Sequence, residues 1–336
     1  MKLLVIGGTG FIGRHLSEAA VRRRHSVTVF SRGQTRRPPA RAGVAYVRGD
    51  RETDLDVMTG DEWDAVIDVY GHLPQVVSPN ATALASCARR YVFISTTAVY
   101  AAAETPPSED SPLRSISDEA AADFTRDDDI TGEAYGPLKV RCEAAVEEAF
   151  PGRALVVRPG LINGPYDSSQ RLPYWLARLS LGGEMLAPGD PERRIQSLDV
   201  RDLARWLVDL VECDATGTYN AAEPEPPTFA SLLARCAETM GVTPKLTWVS
   251  DEFLDNRGFV TDGSLPSLWF RTDDPDWQAV DVTRAAEAGL HCRPFAETVE
   301  ATLAWIRRDE PHTQTLSGER ERELLAAWHA GSPPAR

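Results

Sequence analysis

The chain begins with a strand-like run, a glycine-rich turn and a helix-like segment, and this order constrains its fold more than any other feature. The run Leu3–Ile6 is apolar and bounded by glycine, which predicts a short strand. Gly7 permits the tight turn, Gly10 lets a phosphate approach the backbone, and Gly13 lets the helix lie close to the strand. The helix N-terminus offers free N–H groups to phosphate oxygens. The pattern therefore predicts a dinucleotide-binding unit; a mere tight turn is the alternative.

A basic run follows, although the formal net charge of the whole chain is -14. From residue 19 to residue 49 the chain contains arginines but no Asp or Glu. After a second predicted strand, Ser26–Phe30, a carboxylate would bind the ribose 2′-hydroxyl of NAD, whereas an arginine accommodates the 2′-phosphate of NADP. Ser31 and Arg32 stand at this point, with Arg36 close behind. We therefore predict NADP rather than NAD, with Arg32 as the main contact; a solvated surface is the alternative.

Strand-like and helix-like segments continue to alternate through the first half of the chain. The runs VAYVRGD, WDAVIDVYG, YVFISTTAVY and ALVVRPG predict four further strands, with helical segments between them. This alternation predicts an α/β protein with a Rossmann-like, doubly wound parallel sheet and a smaller C-terminal substrate domain. The predicted dinucleotide-binding domain covers residues 1–165, and 196–222 return to it. Residues 166–195 and 223–330 form the predicted substrate-binding domain.

A tyrosine and a lysine lie four residues apart at the start of a predicted helix. Tyr135 and Lys139 therefore share one face of that helix. The chain has only 3 lysines and 8 tyrosines, so this spacing is not expected by chance. A nearby ammonium lowers the pKa of a phenol, which lets Tyr135 exchange a proton with an alcohol or carbonyl oxygen near neutral pH. Thr96, at the end of a predicted strand, would fix the substrate oxygen. A tyrosine that only packs at the helix start is the alternative.

Four motifs occur along the first half of the chain: Gly7-x-x-Gly10-x-x-Gly13, Ser95–Tyr100, Tyr135-x-x-x-Lys139 and Arg158-Pro159-Gly160. As a set they resemble the extended short-chain dehydrogenase/reductase superfamily, the group of NAD(P)-dependent epimerases, dehydratases and reductases. The resemblance extends over roughly residues 1–225. It implies a Rossmann domain with a smaller C-terminal substrate domain. It also implies that Thr96, Tyr135 and Lys139 take the three roles described above.

The motifs and the resemblance together predict the residues that contact the ligands. Predicted cofactor contacts are Gly7, Thr9, Gly10, Phe11, Ile12, Gly13, Ser31, Arg32, Arg36, Asp50, Arg51, Tyr70, Gly71, Ser95, Pro159, Leu161 and Ile162. The resemblance implies that Asp50 and Arg51 lie near the adenine, and that Pro159–Ile162 lies beside the nicotinamide. Predicted substrate contacts are Thr97, Arg171, Tyr174 and Trp175. A place in the core is the alternative for the aromatic residues.

Two departures from the family pattern bear on the reaction. Sugar-nucleotide 4,6-dehydratases of this family follow the catalytic threonine with an Asp-Glu pair, where this chain has Thr97 and Ala98. Many sugar-nucleotide members carry an arginine four residues before the position of Asp199, where this chain has Ile195. The leading hypothesis is therefore an NADP(H)-dependent oxidoreductase acting on a small carbonyl compound or natural-product intermediate. The alternatives are an epimerase of a nucleotide sugar or other sugar that uses its cofactor transiently, and a non-catalytic dinucleotide-binding protein.

Composition excludes several other function classes. No window of about 18 apolar residues occurs, so we expect no membrane span, and the opening residues reach glycine too soon for a signal peptide. Five cysteines without a CxxC pair favour free thiols in a reducing cytoplasm. Six histidines form no metal-binding pattern, and a pI near 5.0 argues against nucleic acid as a partner. We expect a cytoplasmic enzyme with a small-molecule substrate and no metal, and a homodimer is left open.

Overall fold

The computed structural model describes residues 1–33, 43–126, 128, 130, 132–259, 279–309 and 316–331. Arg36, one of the predicted cofactor contacts, lies outside these described residues. The chain divides into two compact units. The first unit comprises Met1–Ile162, Val200–Pro224 and Val280–Cys292, and the second comprises Asn163–Asp199, Glu225–Ala279 and Arg293–Arg336.

A parallel sheet forms the centre of the first unit. The strands of the described residues are β1 (Lys2–Ile6), β2 (Ser26–Ser31), β3 (Val44–Arg48), β4 (Ala65–Asp68), β5 (Tyr91–Ile94), β6 (Ala154–Pro159), β7 (Leu161–Asn163), β8 (Glu184–Pro188), β9 (Ser197–Asp199), β10 (Gly217–Ala221) and β11 (Lys245–Val249). The sheet has the order β10-β6-β5-β4-β1-β2-β3, and all its pairs are parallel. Every residue of β4, β5 and β6 is buried, as expected for strands covered on both faces.

Helices flank this sheet in pairs. The helices are α1 (Phe11–Arg22), α2 (Leu55–Thr59), α3 (Pro74–Leu84), α4 (Asp118–Ala122), α5 (Tyr135–Ala149), α6 (Arg171–Ser180), α7 (Val200–Glu212), α8 (Phe229–Met240), α9 (Asp251–Asp255), α10 (Thr283–Glu287), α11 (Phe295–Asp309) and α12 (Gly318–Gly331). In the first unit α1 packs against α7, and α3 packs against α5. The predicted α/β fold with a Rossmann-like parallel sheet is therefore confirmed.

A segment from late in the chain joins the first unit. Val280–Cys292 belongs to this unit, although the sequence placed it within the substrate domain at 223–330. Val280 and Val282 share an apolar cluster with Val99, and this packing joins the segment to the first unit. The sequence pattern does not reveal such a contact between distant residues. In the same unit α10 contacts β10, which pairs with β6.

The second unit is built from helices around an aromatic core. Within it α6, α8 and α11 contact one another, and β8 pairs with β11 in parallel. The rings of Trp175 and Trp248 both meet the ring of Phe229 edge-on, with centroid distances of 5.2 and 5.6 Å. Edge-to-face pairs at this separation stabilise a core beyond the burial of their surface. The assignment of this unit as a substrate-binding domain stays a prediction.

Candidate active site

The glycine-rich turn after β1 has the geometry that the sequence predicts. Gly7 has a φ of +81°, which side chains rarely adopt. A Cβ at Gly13 would lie 2.3 Å from the Cα of Gly8, so only glycine lets α1 approach the turn this closely. A Cβ at Gly10 would meet no atom within 4 Å, which leaves open space in front of the helix. Thr9, Phe11 and Ile12 fill the remaining positions of the turn and the first turn of α1.

The end of β2 carries the predicted selector of the cofactor. Ser31 is the last residue of this strand, and Arg32 follows it with an exposed side chain. Nearby, Asp50 accepts a hydrogen bond of 2.6 Å from the Arg126 guanidinium. Burial would raise the pKa of Asp50, but the hydrogen bond from the Glu52 N–H and the charges of Arg126 and Arg32 hold it below its usual value. The Asp50 carboxylate is thus ionised and already paired with Arg126, which also forms an ion pair with Glu52.

A buried ion pair lies at the end of β4. The Arg51 guanidinium donates to both carboxylate oxygens of Asp68 and to the Tyr70 carbonyl. Asp68 also accepts from the Tyr91 hydroxyl at 3.0 Å. Burial would raise the pKa of Asp68, but the Arg51 charge holds it below its usual value. Arg51 is therefore bound to Asp68 at the end of β4. Its position near the adenine of a dinucleotide stays a prediction.

Lys139 joins the ends of two neighbouring strands. Its Nζ donates to the carbonyl oxygens of Gly71 and Ile94, both at 2.6 Å, and stands 4.2 Å from the centroid of the Phe93 ring. The side chain is almost completely buried. Burial lowers the pKa of Lys139 to about 8. The ammonium is therefore fixed in position and only moderately basic.

Gly136, which the sequence motifs do not single out, lets α5 approach the segment that contains Thr96. The helix α5 begins at Tyr135, and a Cβ on the next residue, Gly136, would lie 2.0 Å from the Ala98 carbonyl oxygen. Only glycine therefore lets α5 approach the 3₁₀ turn Thr97–Val99, which follows Thr96. A signal was present, because glycine near a helix start needs a packing reason.

The segment after β5 supplies three hydroxyl groups. Thr96 Oγ1 accepts a hydrogen bond of 3.2 Å from the Ala98 N–H, which caps the 3₁₀ turn, and both Thr96 and Thr97 stay partly exposed. Ser95 is buried, and its Oγ has no hydrogen-bond partner among the described residues. An orphaned hydroxyl costs about 1–3 kcal/mol unless a ligand or water satisfies it. These hydroxyls therefore fit a site that binds a polar ligand.

His72 is a second residue that the sequence analysis missed. Its ring lies 4.5 Å from the ring of Tyr70 and 5.8 Å from the ring of Tyr135, between centroids. The buried Nε2 has no hydrogen-bond partner in the part of the chain that the structure describes. Burial, together with the positive charge of Lys139, lowers the pKa of His72 to about 3. Its place directly after Gly71, a predicted cofactor contact, was the available signal.

The remaining predicted contacts divide between the two units. In the first unit, Pro159 ends β6, and Leu161 and Ile162 are buried. In the second unit, the Arg171 guanidinium donates to the Ser169 hydroxyl. Tyr174 and Trp175 are buried on α6, which favours a core role for both rings over the predicted substrate contact.

The first unit fits a dinucleotide in two respects. Open space lies in front of Gly10 at the N-terminus of α1, where N–H groups are free to bind phosphate. The orphaned Ser95 hydroxyl and the Lys139 ammonium lie at the carboxyl ends of β4 and β5, the edge where ligands bind in such sheets.

No group of three or more His, Cys, Asp or Glu side chains among the described residues could hold a metal ion. All five cysteines are free, and no helix in the described ranges is long and apolar enough to cross a membrane.

The sequence matches a family model over more than half of the chain. The model describes the NAD dependent epimerase/dehydratase family, and it matches residues 3–84 and 80–222. The chain therefore belongs to this family, which confirms the resemblance seen in the motifs.

Individual proteins show the same relationship. The chain is 24% identical over 258 residues to the chloroplast stem-loop binding protein of 41 kDa b from Arabidopsis thaliana, over 71% of this chain and 63% of that protein. It is 26% identical over 314 residues to 3-diazoavenalumate denitrifying reductase from Streptomyces sp, over 83% of this chain and 98% of that protein. Among solved structures, UDP-N-acetylglucosamine 4-epimerase from Methanobrevibacter ruminantium M1 superposes with a TM-score of 0.71 at 16% identity, over 92% of this chain and 98% of that one. This last likeness shows the fold.

Proposed function

We propose that this member of the NAD dependent epimerase/dehydratase family is an NADP(H)-dependent oxidoreductase that interconverts a carbonyl and an alcohol on a small metabolite or natural-product intermediate. The observation that carries the proposal is the approach of α5 to the turn after β5. Gly136 lies against Ala98, so that Tyr135 lies beside the turn that Thr96 caps. Lys139, one turn further along α5, is held between the ends of β4 and β5.

Each of these side chains has a role in moving one proton. A bound nicotinamide supplies or accepts the hydride. The Tyr135 hydroxyl donates a proton to the substrate oxygen during reduction and takes it back during oxidation. Thr96 Oγ1, already fixed by the Ala98 N–H, binds the same oxygen. Lys139, with a pKa of about 8, stays largely protonated at neutral pH and stabilises the phenolate of Tyr135.

NADP is the proposed cofactor because of the charge after β2. Arg32 is exposed directly after the strand, at the position where a carboxylate would repel a 2′-phosphate. The Asp50 carboxylate, whose pKa the Arg32 charge helps to lower, is paired with Arg126. An arginine at this point binds phosphate with charge-assisted hydrogen bonds.

A net redox reaction is favoured over elimination and epimerisation. Thr97 and Ala98 carry no carboxylate where a dehydratase needs an acid and a base. The similarity to a denitrifying reductase extends over 98% of that protein, whereas the likeness to a sugar-nucleotide epimerase rests on the fold. The intact pair Tyr135 and Lys139 supports turnover rather than dinucleotide binding alone.

A cofactor-consumption screen tests the proposal. NADPH oxidation is followed with panels of aldehydes and ketones, and small molecules that copurify with the protein are identified by mass spectrometry. We expect at least one carbonyl compound to be reduced with equal consumption of NADPH, and this reaction to be lost in Tyr135→Phe. The matched control is Tyr46→Phe, because Tyr46 lies on the edge strand β3, separated from β5 by three strands.

The other outcomes distinguish the alternatives. Sugar epimers that interconvert without net NADPH consumption, in a protein that purifies with bound cofactor, would identify an epimerase. Tight dinucleotide binding without any turnover across the panels would identify a binding protein. Either result would contradict the proposed function.

A further inference from the structure

His72 occupies a position that packing alone does not explain. It directly follows Gly71, whose carbonyl accepts a hydrogen bond from Lys139. Its ring contacts the rings of Tyr70 and Tyr135, at an interplanar angle of 75° to the first and 36° to the second. Yet the ring carries a buried Nε2 with no hydrogen-bond partner among the residues the structure describes, a state that is unfavourable in a protein interior.

The polar side chains around His72 are committed to other partners. The Asp68 carboxylate accepts hydrogen bonds from Arg51, the Tyr91 hydroxyl and the Tyr70 N–H. Lys139 Nζ donates to two backbone carbonyls. The Asp68 carboxylate and the Lys139 ammonium are therefore committed elsewhere, and the His72 Nε2 is left to be satisfied by something that the protein binds.

The imidazole is neutral in this environment. Burial and the neighbouring Lys139 charge hold the pKa of His72 at about 3, so the ring stays uncharged over the working pH range. A neutral imidazole forms hydrogen bonds without competing with Tyr135 as the proton donor. Its contribution is therefore binding and orientation rather than proton transfer.

We propose that His72 is a ligand-binding residue whose Nε2 forms a hydrogen bond with an oxygen of the molecule that occupies the site beside Tyr135 and Lys139. This inference rests on the proposed function, because that function supplies the ligand. Two molecules offer the same chemistry: a ribose hydroxyl of the dinucleotide, and a hydroxyl or carbonyl oxygen of the substrate. The experiment below separates them.

The variant His72→Phe keeps a flat ring against Tyr70 and Tyr135 and removes both nitrogens. We expect the thermal midpoint of the unliganded protein to stay constant or rise, since an unpaired buried nitrogen has been removed. Ligand affinity should fall about tenfold, the size of one lost hydrogen bond. The companion His72→Gln places an amide near the position of Nε2 and should recover most of the affinity.

His25→Phe is the matched control. Both ring nitrogens of His25 have partners. Its Nε2 lies 2.8 Å from a Glu212 oxygen, and its Nδ1 lies 3.2 Å from the terminal amine. Its replacement should lower the thermal midpoint and leave ligand affinity unchanged. We therefore expect His72→Phe to weaken ligand binding without a loss of stability, and His25→Phe to lower stability without a change in ligand binding.

Two measurements identify which molecule supplies the oxygen and test the inference. NADPH is titrated without substrate, and KM is then measured at saturating NADPH for the carbonyl compound that the wild type reduces fastest. A weaker NADPH affinity in His72→Phe identifies the dinucleotide, and a raised KM at unchanged NADPH affinity identifies the substrate. Unchanged values for both, or a loss of stability alone, would overturn the inference. If the wild type binds NADPH but reduces nothing, the proposed function fails, and the NADPH affinity alone decides the role of His72.

Discussion

Two tyrosine–cation pairs lie in the first unit, and they differ in the exposure of the tyrosine and in how completely the polar atoms around the pair are satisfied. The Tyr100 hydroxyl donates to Asn220 at 2.6 Å and accepts from Arg158 at 2.9 Å, and the side chain is almost fully buried. Tyr135 remains partly exposed at the start of α5, close to Lys139 on the same helix face. The first side chain is therefore enclosed by the protein, whereas the second keeps part of its surface exposed.

The surroundings of the two pairs repeat this difference. Arg158 donates to both carboxylate oxygens of Glu143 and to the Glu109 carbonyl. Around the other pair, the buried Ser95 Oγ and His72 Nε2 lack partners within the described ranges. A saturated network stabilises a fold, and an unsaturated one is prepared for a ligand. The comparison predicts that changes in the first pair affect stability and that changes in the second affect turnover.

Replacing Lys139 should have a large effect on both turnover and cofactor affinity. In Lys139→Arg a wide, planar guanidinium must enter a space bounded by the Gly71 and Ile94 carbonyls and the Phe93 ring. We expect kcat/KM to fall about 10²-fold or more, the scale of a misplaced acid–base group, and NADPH affinity to fall as well. Steady-state kinetics and calorimetric titration measure both values.

The control for this prediction is Lys245→Arg. Lys245 is an exposed lysine of β11 that pairs with Glu184. Its replacement should change neither value. Wild-type kinetics in Lys139→Arg would remove Lys139 from the site.

Breaking the saturated network should cost stability instead. Arg158→Met leaves the Glu143 carboxylate buried and unpaired, which costs about 3–5 kcal/mol in the free energy of unfolding. Urea unfolding measures this loss. The turnover of the folded molecules should remain close to that of the wild type, and the double variant Arg158→Met/Glu143→Leu should recover much of the stability. If Arg158→Met lost activity without losing stability, this network would belong to the active site, and the proposed difference between the two pairs would be wrong.

Replacing Arg32 tests the proposed cofactor preference. Arg32→Ala should weaken NADP binding by about 1.5–3 kcal/mol, the contribution of a charged hydrogen bond, and leave NAD binding nearly unchanged. Calorimetric titration with each dinucleotide gives the two affinities. Arg22→Ala is the control, because Arg22 is exposed at the far end of α1. An equal loss for both dinucleotides would show that the arginine at position 32 does not select between them.

The pKa of Lys139 predicts a smaller, pH-dependent effect. Burial lowers it from 10.5 to about 8, so between these values the folded state binds fewer protons than the unfolded chain. The contribution of this group to the free energy of unfolding therefore rises with pH through that window. Turnover should change in the opposite sense and fall above about pH 8, as the ammonium is lost. Lys139→Met should remove the stability increment; an identical pH profile of stability in this variant would contradict the assignment.

The sequence was sufficient for the features that local patterns encode. The strand, turn and helix around Gly7, Gly10 and Gly13 were predictable, because Gly7 needs a positive φ and Gly13 approaches Gly8, only five residues away. The pairing of Tyr135 with Lys139 followed from helical spacing. Both predictions depend on short-range geometry, which a single sequence contains.

Features that depend on contacts between distant segments were not predictable. The requirement for glycine at position 136 arises from its contact with Ala98, and the position of His72 is evident only from its contact with Tyr135. The return of Val280–Cys292 to the first unit likewise depends on an apolar cluster formed with residues far back in the chain. Periodicity and propensity do not reveal such neighbours, because they describe one segment at a time.

A direct comparison of Tyr135→Phe with Tyr100→Phe tests the central claim, that the accessible pair performs the chemistry and the saturated pair supports the fold. Turnover under conditions limited by chemistry and the thermal midpoint are measured for both variants. We expect Tyr135→Phe to lose about 10²–10⁴-fold in kcat with little change in thermal midpoint or NADPH affinity. Tyr100→Phe should lower the thermal midpoint, because Arg158 and Asn220 each lose a partner, and should retain most of its turnover. Retention of most activity by Tyr135→Phe, with its loss in Tyr100→Phe, would contradict the account.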